Sequence, residues 1–145
     1  MTTSDVYIDS KHNALREILV GEVFAHGWEL LAFAAAIGWQ TDQRRDPPSS
    51  GKGNYTVKMS DESERGDRIL ADALAIVLAA PEHLDSALGA TAALKGGSFS
   101  ARCKDLCAYA HGGFEVIEAR KNRLGCTYKQ AVLEILEHGV EETGL

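Results

Sequence analysis

No apolar run in this 145-residue chain reaches the ~18 residues of a membrane-crossing helix, so no membrane contact is expected. Residues 1–5 lack the basic start and apolar stretch of a signal peptide, and the expected location is therefore the cytoplasm. Cysteine is scarce. Three thiols, an odd number, suit reduced side chains in that compartment better than a disulfide framework. Basic charge is in short supply too: 15 Lys and Arg face 21 Asp and Glu, for a net charge of −6. Phosphate contacts need clustered cations, so nucleic-acid binding over the whole surface is excluded. Catalytic signatures are missing as well. There is no Gly-x-Ser-x-Gly, no His-Glu-x-x-His and no Gly-x-x-x-x-Gly-Lys-Ser/Thr, and the five histidines have no recognisable partners. Nothing points to an enzyme or to a cofactor.

What is present is an ordinary globular balance, 45% apolar and 25% charged, in a length that fits a single domain over residues 1–145. The cations are unevenly spread. In residues 40–59, Arg44, Arg45, Lys52 and Lys58 outnumber Asp42 and Asp46. Lys95, Arg102 and Lys104 form a second excess, and Arg120, Lys121, Arg123 and Lys129 a third. Beyond Lys129 the chain carries Glu134, Glu137, Glu141 and Glu142 and no basic residue. Any anion-binding surface must be local.

Residues 6–8 and 54–59 read as short strands that pair in a small ribbon. Asp9 or Ser10 caps a helix to about Val20, closed by Gly21. A second helix, over residues 27–37, is rich in alanine and apolar almost all round, which marks it as central; Gly38 is its expected left-handed stop. Residues 40–53 form a polar, basic loop that is long for a compact domain. The acidic start at 61–67 and the apolar periodicity of Ile69, Leu70, Ala73, Leu74 and Val77 predict a helix ending before Pro81, with a short one over 81–88. Residues 89–98 are small and loop-like. Ser98 or Ser100 opens a helix to about Ala110, Gly112-Gly113 is expected to break it, and another runs over 114–122. Thr127 caps an acidic last helix, 127–142. The expectation is a mainly α protein, a compact bundle of six to seven short helices with at most a two-stranded β-ribbon. Leu31, Phe33, Ala35, Ile37, Leu70, Leu74, Val77 and Phe114 are its expected core.

Three groups of residues invite a chemical reading. Cys103, Cys107 and His111 share a helix face at i, i+4, i+8, but structural zinc takes four ligands, and small buried thiols beside a helix-end histidine account for them without a metal. The order strand, helix, glycine turn, helix at the start matches a ribbon-helix-helix DNA-binding unit. Its strand, however, is flanked by Asp5 and Asp9 and carries no Lys, Arg, Asn or Gln to read base edges. The third is the basic loop. Arg44 and Arg45, with Lys52 and Lys58, suit a phosphate or a partner carboxylate, or else form a solvated loop whose arginine satisfies the helix's last carbonyls.

Two segments add a resemblance. Leu30-Leu31-Ala32-Phe33-Ala34-Ala35-Ala36-Ile37-Gly38-Trp39, running into Gln40-Thr41-Asp42-Gln43-Arg44-Arg45-Asp46-Pro47, and Ala108-Tyr109-Ala110-His111-Gly112-Gly113-Phe114-Glu115-Val116-Ile117 together resemble the DNA phosphorothioation-associated protein 4 family. These small bacterial proteins accompany the Dnd systems, which put sulfur into the DNA backbone and restrict DNA lacking it. The resemblance spans about residues 7–119. It places a family arginine at Arg44 or Arg45; Trp28-Glu29 and His111 depart from the family's usual lysine-aspartate and asparagine, and the cysteines are not part of its pattern. What it implies is an accessory, non-catalytic component of a phosphorothioation-dependent modification and restriction system in phage defence. Its implied partners are Dnd-type restriction or modification proteins, DNA, or both, and a homodimer is compatible with it. The rival is a ribbon-helix-helix-like transcriptional regulator of such a locus.

Overall fold

The computed structural model describes residues 3–46, 48–60 and 99–139. Strand β1 (Thr3–Ile8) pairs antiparallel with β2 (Tyr55–Ser60), Val6 standing opposite Val57. Alternation buries Val6 and Ile8 on β1 and Val57 and Met59 on β2, so one face of the ribbon lies on the core. A 3-10 turn (Ser10–His12), capped by the Asp9 carboxylate on the Lys11 N–H at 3.0 Å, leads into α1 (Asn13–Glu22). Leu15 and Leu19 turn inward, and Val20 and Gly21 leave helical geometry before the helix's assigned end. Helix α2 (Gly27–Gln40) starts where the Glu29 side chain accepts the His26 N–H at 2.9 Å; it is buried continuously from Leu30 to Gly38. Helix α3 (Phe99–Leu124) is 26 residues long, and α4 (Tyr128–His138) opens with reciprocal Thr127 and Gln130 caps. Among the described residues, no helix is long and apolar enough to cross a membrane.

The bundle of six to seven short helices is overturned. The described residues form four α-helices and the two-stranded ribbon. The expected helices over 61–80 and 81–88, the segment 89–98, and core candidates Leu70, Leu74 and Val77 lie outside the described residues, as do Glu141 and Glu142. The last helix closes at His138, before Gly139. A physical misassignment remains inside the described region: Gly112-Gly113 does not break a helix but sits within α3. Gly38 likewise is helical, α2 runs two residues past it, and the left-handed residue is Asp42, with a φ of 54°.

Close approach explains these glycines. A Cβ on Gly38 would fall well under 3.0 Å from the Tyr109 carbonyl oxygen, one on Gly113 equally close to that of Ala34, and one on Gly112 to that of Gln43. The α2 and α3 backbones therefore touch, with carbonyls of each against glycine Cα of the other, a geometry suited to Cα–H···O contacts. Around this contact Leu31, Phe33, Ala35, Ile37 and Phe114 are buried, with Leu106, Ala110 and Ile117 of α3.

Helix propensity and packing make opposite predictions for Gly113→Ala. Propensity alone favours alanine inside a helix by about 1 kcal/mol. The contact with Ala34 predicts a loss in the overpacking range, about 1–3 kcal/mol. Denaturant midpoints decide between them, and a stabilised variant would refute the backbone contact.

Candidate functional site

The basic loop leaves α2 and is fastened at once, first back to α2 and then to α3. Gln43 N–H donates to the Gly38 carbonyl at 2.8 Å, and Arg45 N–H reaches the Ala108 carbonyl at 3.1 Å. Arg44 Nη2 meets Asp105 Oδ1 at 3.0 Å, its guanidinium 5.2 Å from the centre of the Tyr109 ring, which Trp39 meets edge-on at 5.3 Å. Arg45 Nε meets Glu115 Oε2 at 2.9 Å, and Arg45 Nη2 donates to Gln43 Oε1 at 2.9 Å. Both arginine side chains stay nearly half exposed, at 46% and 48%. Exposed pairs of this kind contribute about 0–1 kcal/mol each, so they aim the loop more than they hold the fold. Lys52 lies further along, exposed in the turn before Gly53, and Lys58 stands on β2 in register with Asp5. The four predicted residues thus divide: Arg44 and Arg45 share an anchorage on α3, while Lys52 and Lys58 belong to the turn and the ribbon.

Between β1, the loop and α3 lies a cleft of about 440 Å³. Asp5, Val6 and Tyr7 form one wall, Arg44 and Pro48 another, and Lys104 and Cys107 the third. Volumes of this order suit a small ligand or a few residues of peptide. Lys104 is the residue that sequence reasoning missed. It was visible as part of the second basic excess, but nothing in the linear order brings it beside Arg44. Cys107 donates its thiol toward the Tyr7 carbonyl at 3.5 Å, and burial pushes its pKa up to about 12; Cys103 is raised by burial to about 11. Both stay protonated near neutrality, which does not suit a nucleophile.

Behind the cleft is a buried polar cluster. His111 Nδ1 lies 2.8 Å from the Cys107 carbonyl, while Nε2 accepts the Asp9 N–H at 3.2 Å. Those two bonds select the neutral tautomer with its proton on Nδ1. His12, buried beside it, places Nδ1 3.2 Å from Glu118 Oε2, and Phe114 packs against both rings. His111 is therefore not a helix-end residue but lies inside α3, where Nδ1 bonds back to Cys107 of the same helix and Nε2 joins α3 to the residue that follows β1. Among the described residues, no group of three His, Cys, Asp or Glu side chains converges as a metal site would require.

Comparisons with protein-family models, with curated proteins and with solved structures find no match.

The His111 environment carries a pH dependence. Burial lowers its pKa below the ordinary 6.5, the neighbouring His12 lowers it further, and the bond to the Cys107 carbonyl opposes both. A depressed folded-state pKa gives stability that is complete above the unfolded value and lost as pH falls through the folded one. The melting temperature should therefore drop as pH falls below about 6.5. Replacing His111 with Asn should flatten that dependence, and an equally steep fall in the variant would assign it to other groups.

Proposed function

We propose that this chain is a cytoplasmic, accessory, non-catalytic component of a bacterial DNA phosphorothioation-dependent modification and restriction system. It serves phage defence by binding the restriction proteins, DNA, or both. The observation that supports this reading most is that the two segments behind the family resemblance meet in space. Gly38 lies on Tyr109, Ala34 on Gly113 and Gln43 on Gly112. The resembling residues describe one contact and the loop it presents, rather than scattered positions.

The contact surface in this reading is the loop, with Arg44 and Arg45 principal and Lys52 and Lys58 beside them. Asp105 and Glu115 orient the two guanidinium groups and leave further N–H donors on each for a ligand. They also balance each arginine's charge. Charge balanced in this way removes the diffuse attraction that DNA binding relies on, while the remaining directed N–H donors still suit individual protein acceptors, which favours a protein surface over DNA as first partner. The ribbon-helix-helix rival draws less support. Such a unit pairs its strand with a copy in a second chain, whereas β1 takes β2 of its own chain and buries Val6 and Ile8 in the core.

The test is co-purification from a host with an intact locus. Arg44→Ala with Arg45→Ala should abolish recovery of the system's proteins while changing fold stability by no more than about 2 kcal/mol, as two exposed pairs allow. If DNA is the partner, the same variant should weaken binding alike across sequences and reduce the salt slope by about one per lost contact. A folded variant that retains partners and supports restriction would refute the reading.

A further inference from the structure

The two-stranded ribbon leaves β1 with an edge that β2 does not cover. Backbone groups along a strand point alternately to its two edges. The Tyr7 carbonyl accepts the Cys107 thiol, and the Asp9 N–H donates to His111, so the odd-numbered positions turn their backbone toward α3. Ser10 N–H, at an even position, turns instead to Asn54 beside β2, at 3.0 Å. By the same alternation, Ser4, Val6 and Ile8 serve the ladder, while Asp5 and Tyr7 present theirs to the cleft. Among the described residues, the Cys107 thiol is the one group that bonds this edge between Asp5 and Tyr7. Among the described residues, the edge is closed by α3 at Asp9, half closed at Tyr7, and open at Asp5.

Across from this edge stand two cations. Arg44 is held by Asp105 and backed by Tyr109; Lys104 is exposed and makes no ion pair among the described residues. Asp5 is the one acid on the cleft wall, and it has Lys58 opposite it in the ribbon. Val6, Tyr7, Pro48, Ser49 and Cys107 complete the lining, most of it apolar.

We propose that this cleft docks an extended acidic peptide of a partner protein, added to the open edge of β1 as a third strand with a carboxylate between Arg44 and Lys104. Strand addition of this kind takes its affinity from main-chain hydrogen bonds and its selectivity from side-chain pockets. A peptide both donates to the Asp5 carbonyl and accepts from the Asp5 and Tyr7 N–H groups. A nucleic-acid backbone, whose phosphates only accept, leaves that carbonyl unpaired. The two cations opposite then select for acidic side chains.

The probe is a fluorescent, end-blocked heptapeptide alternating Glu and Val, titrated by anisotropy against the whole chain, with hydrogen exchange read at the Asp5 and Tyr7 amides. Saturable binding and slowed exchange at both amides are expected. Lys104→Glu should weaken binding about tenfold or more, a shift of about 1.4 kcal/mol. N-methylating alternate amides of the peptide should abolish it with charge unchanged, and so should Asp5→Pro, a substitution an edge position tolerates. If Asp5→Pro fails to fold, the N-methylated probes still decide. No saturation by about 1 mM, equal binding of the N-methylated probe, or equal binding of a Lys-Val peptide would overturn the proposal. So would binding of a short DNA duplex, but not the peptide, that is lost in Lys104→Glu, or a dimer that Asp5→Pro dissociates, which would seat a second copy on the edge. The assay contains no component of a modification system, so its failure and that of the function proposed above are separable.

Discussion

Where α2 crosses α3 there are no side chains to keep the helices apart. The Tyr109 carbonyl rests on Gly38, the Ala34 carbonyl on Gly113 and the Gln43 carbonyl on Gly112. Each glycine sits in regular helix or against its end, where it weakens the helix by about 1 kcal/mol relative to alanine. Three such positions at one crossing make sense only if the contact returns more, through dispersion between close-packed backbones and the burial of the large apolar residues ringed around them. Because the helices sit this close, Phe33, Ile37, Phe114 and Ile117 join one buried cluster, and β1 can reach α3 with its backbone.

The crossing also determines how the loop behaves. A connection as long as residues 41–54 has a closure entropy that grows only slowly with length, so its length alone is tolerable. Its opening stretch is fastened by backbone bonds from Gln43 and Arg45 and by two arginine–carboxylate pairs, all to residues flanking the glycine contact. The loop therefore leaves the crossing in one direction and forms a wall of the cleft. Loosening the helix pair would disturb the arginines without altering any residue near them, so stability and binding are coupled here through geometry.

Much of this was legible in the sequence, and the failures are specific. β-Branched and aromatic residues at 6–8 and alternation in 54–59 announced the two strands; apolar saturation in 30–37 announced a central helix; Thr127 announced the last one. Gly112-Gly113 did not read correctly, because glycine serves both helix termination and backbone contact, and the local sequence is the same in each case. What separates them is the partner, Ala34 and Gln43, some seventy residues away. The surroundings of the basic loop were hidden for the same reason. The basic excess around Arg44 was plain, but Asp105 and Glu115 as its counter-charges, and Lys104 as its companion, belong to a different element. Cys103 and Cys107 do share a helix face, but His111 lies inside that helix and not at its end; the bonds that engage Cys107 and His111, to Tyr7 and Asp9, depend on a segment a hundred residues earlier.

The open edge of β1 admits a second physical account, and the geometry weighs between them. Natural sheets guard their edges with lysine and other charges to prevent pairing with further chains. Arg44 and Lys104 are near enough to suggest such a guard. A guarding charge, however, works from the strand itself or by filling the space beside it. Here the strand residue facing the gap is Asp5, and the cations stand on the far walls with about 440 Å³ between. α3 does close the edge where it can, with Cys107 at Tyr7 and His111 at Asp9. Closure stops one step short, at the position where opposite charge is arrayed across a gap. A fold that bonds this edge at Asp9, half closes it at Tyr7 and faces Asp5 with cations discriminates among strands; it does not simply repel them.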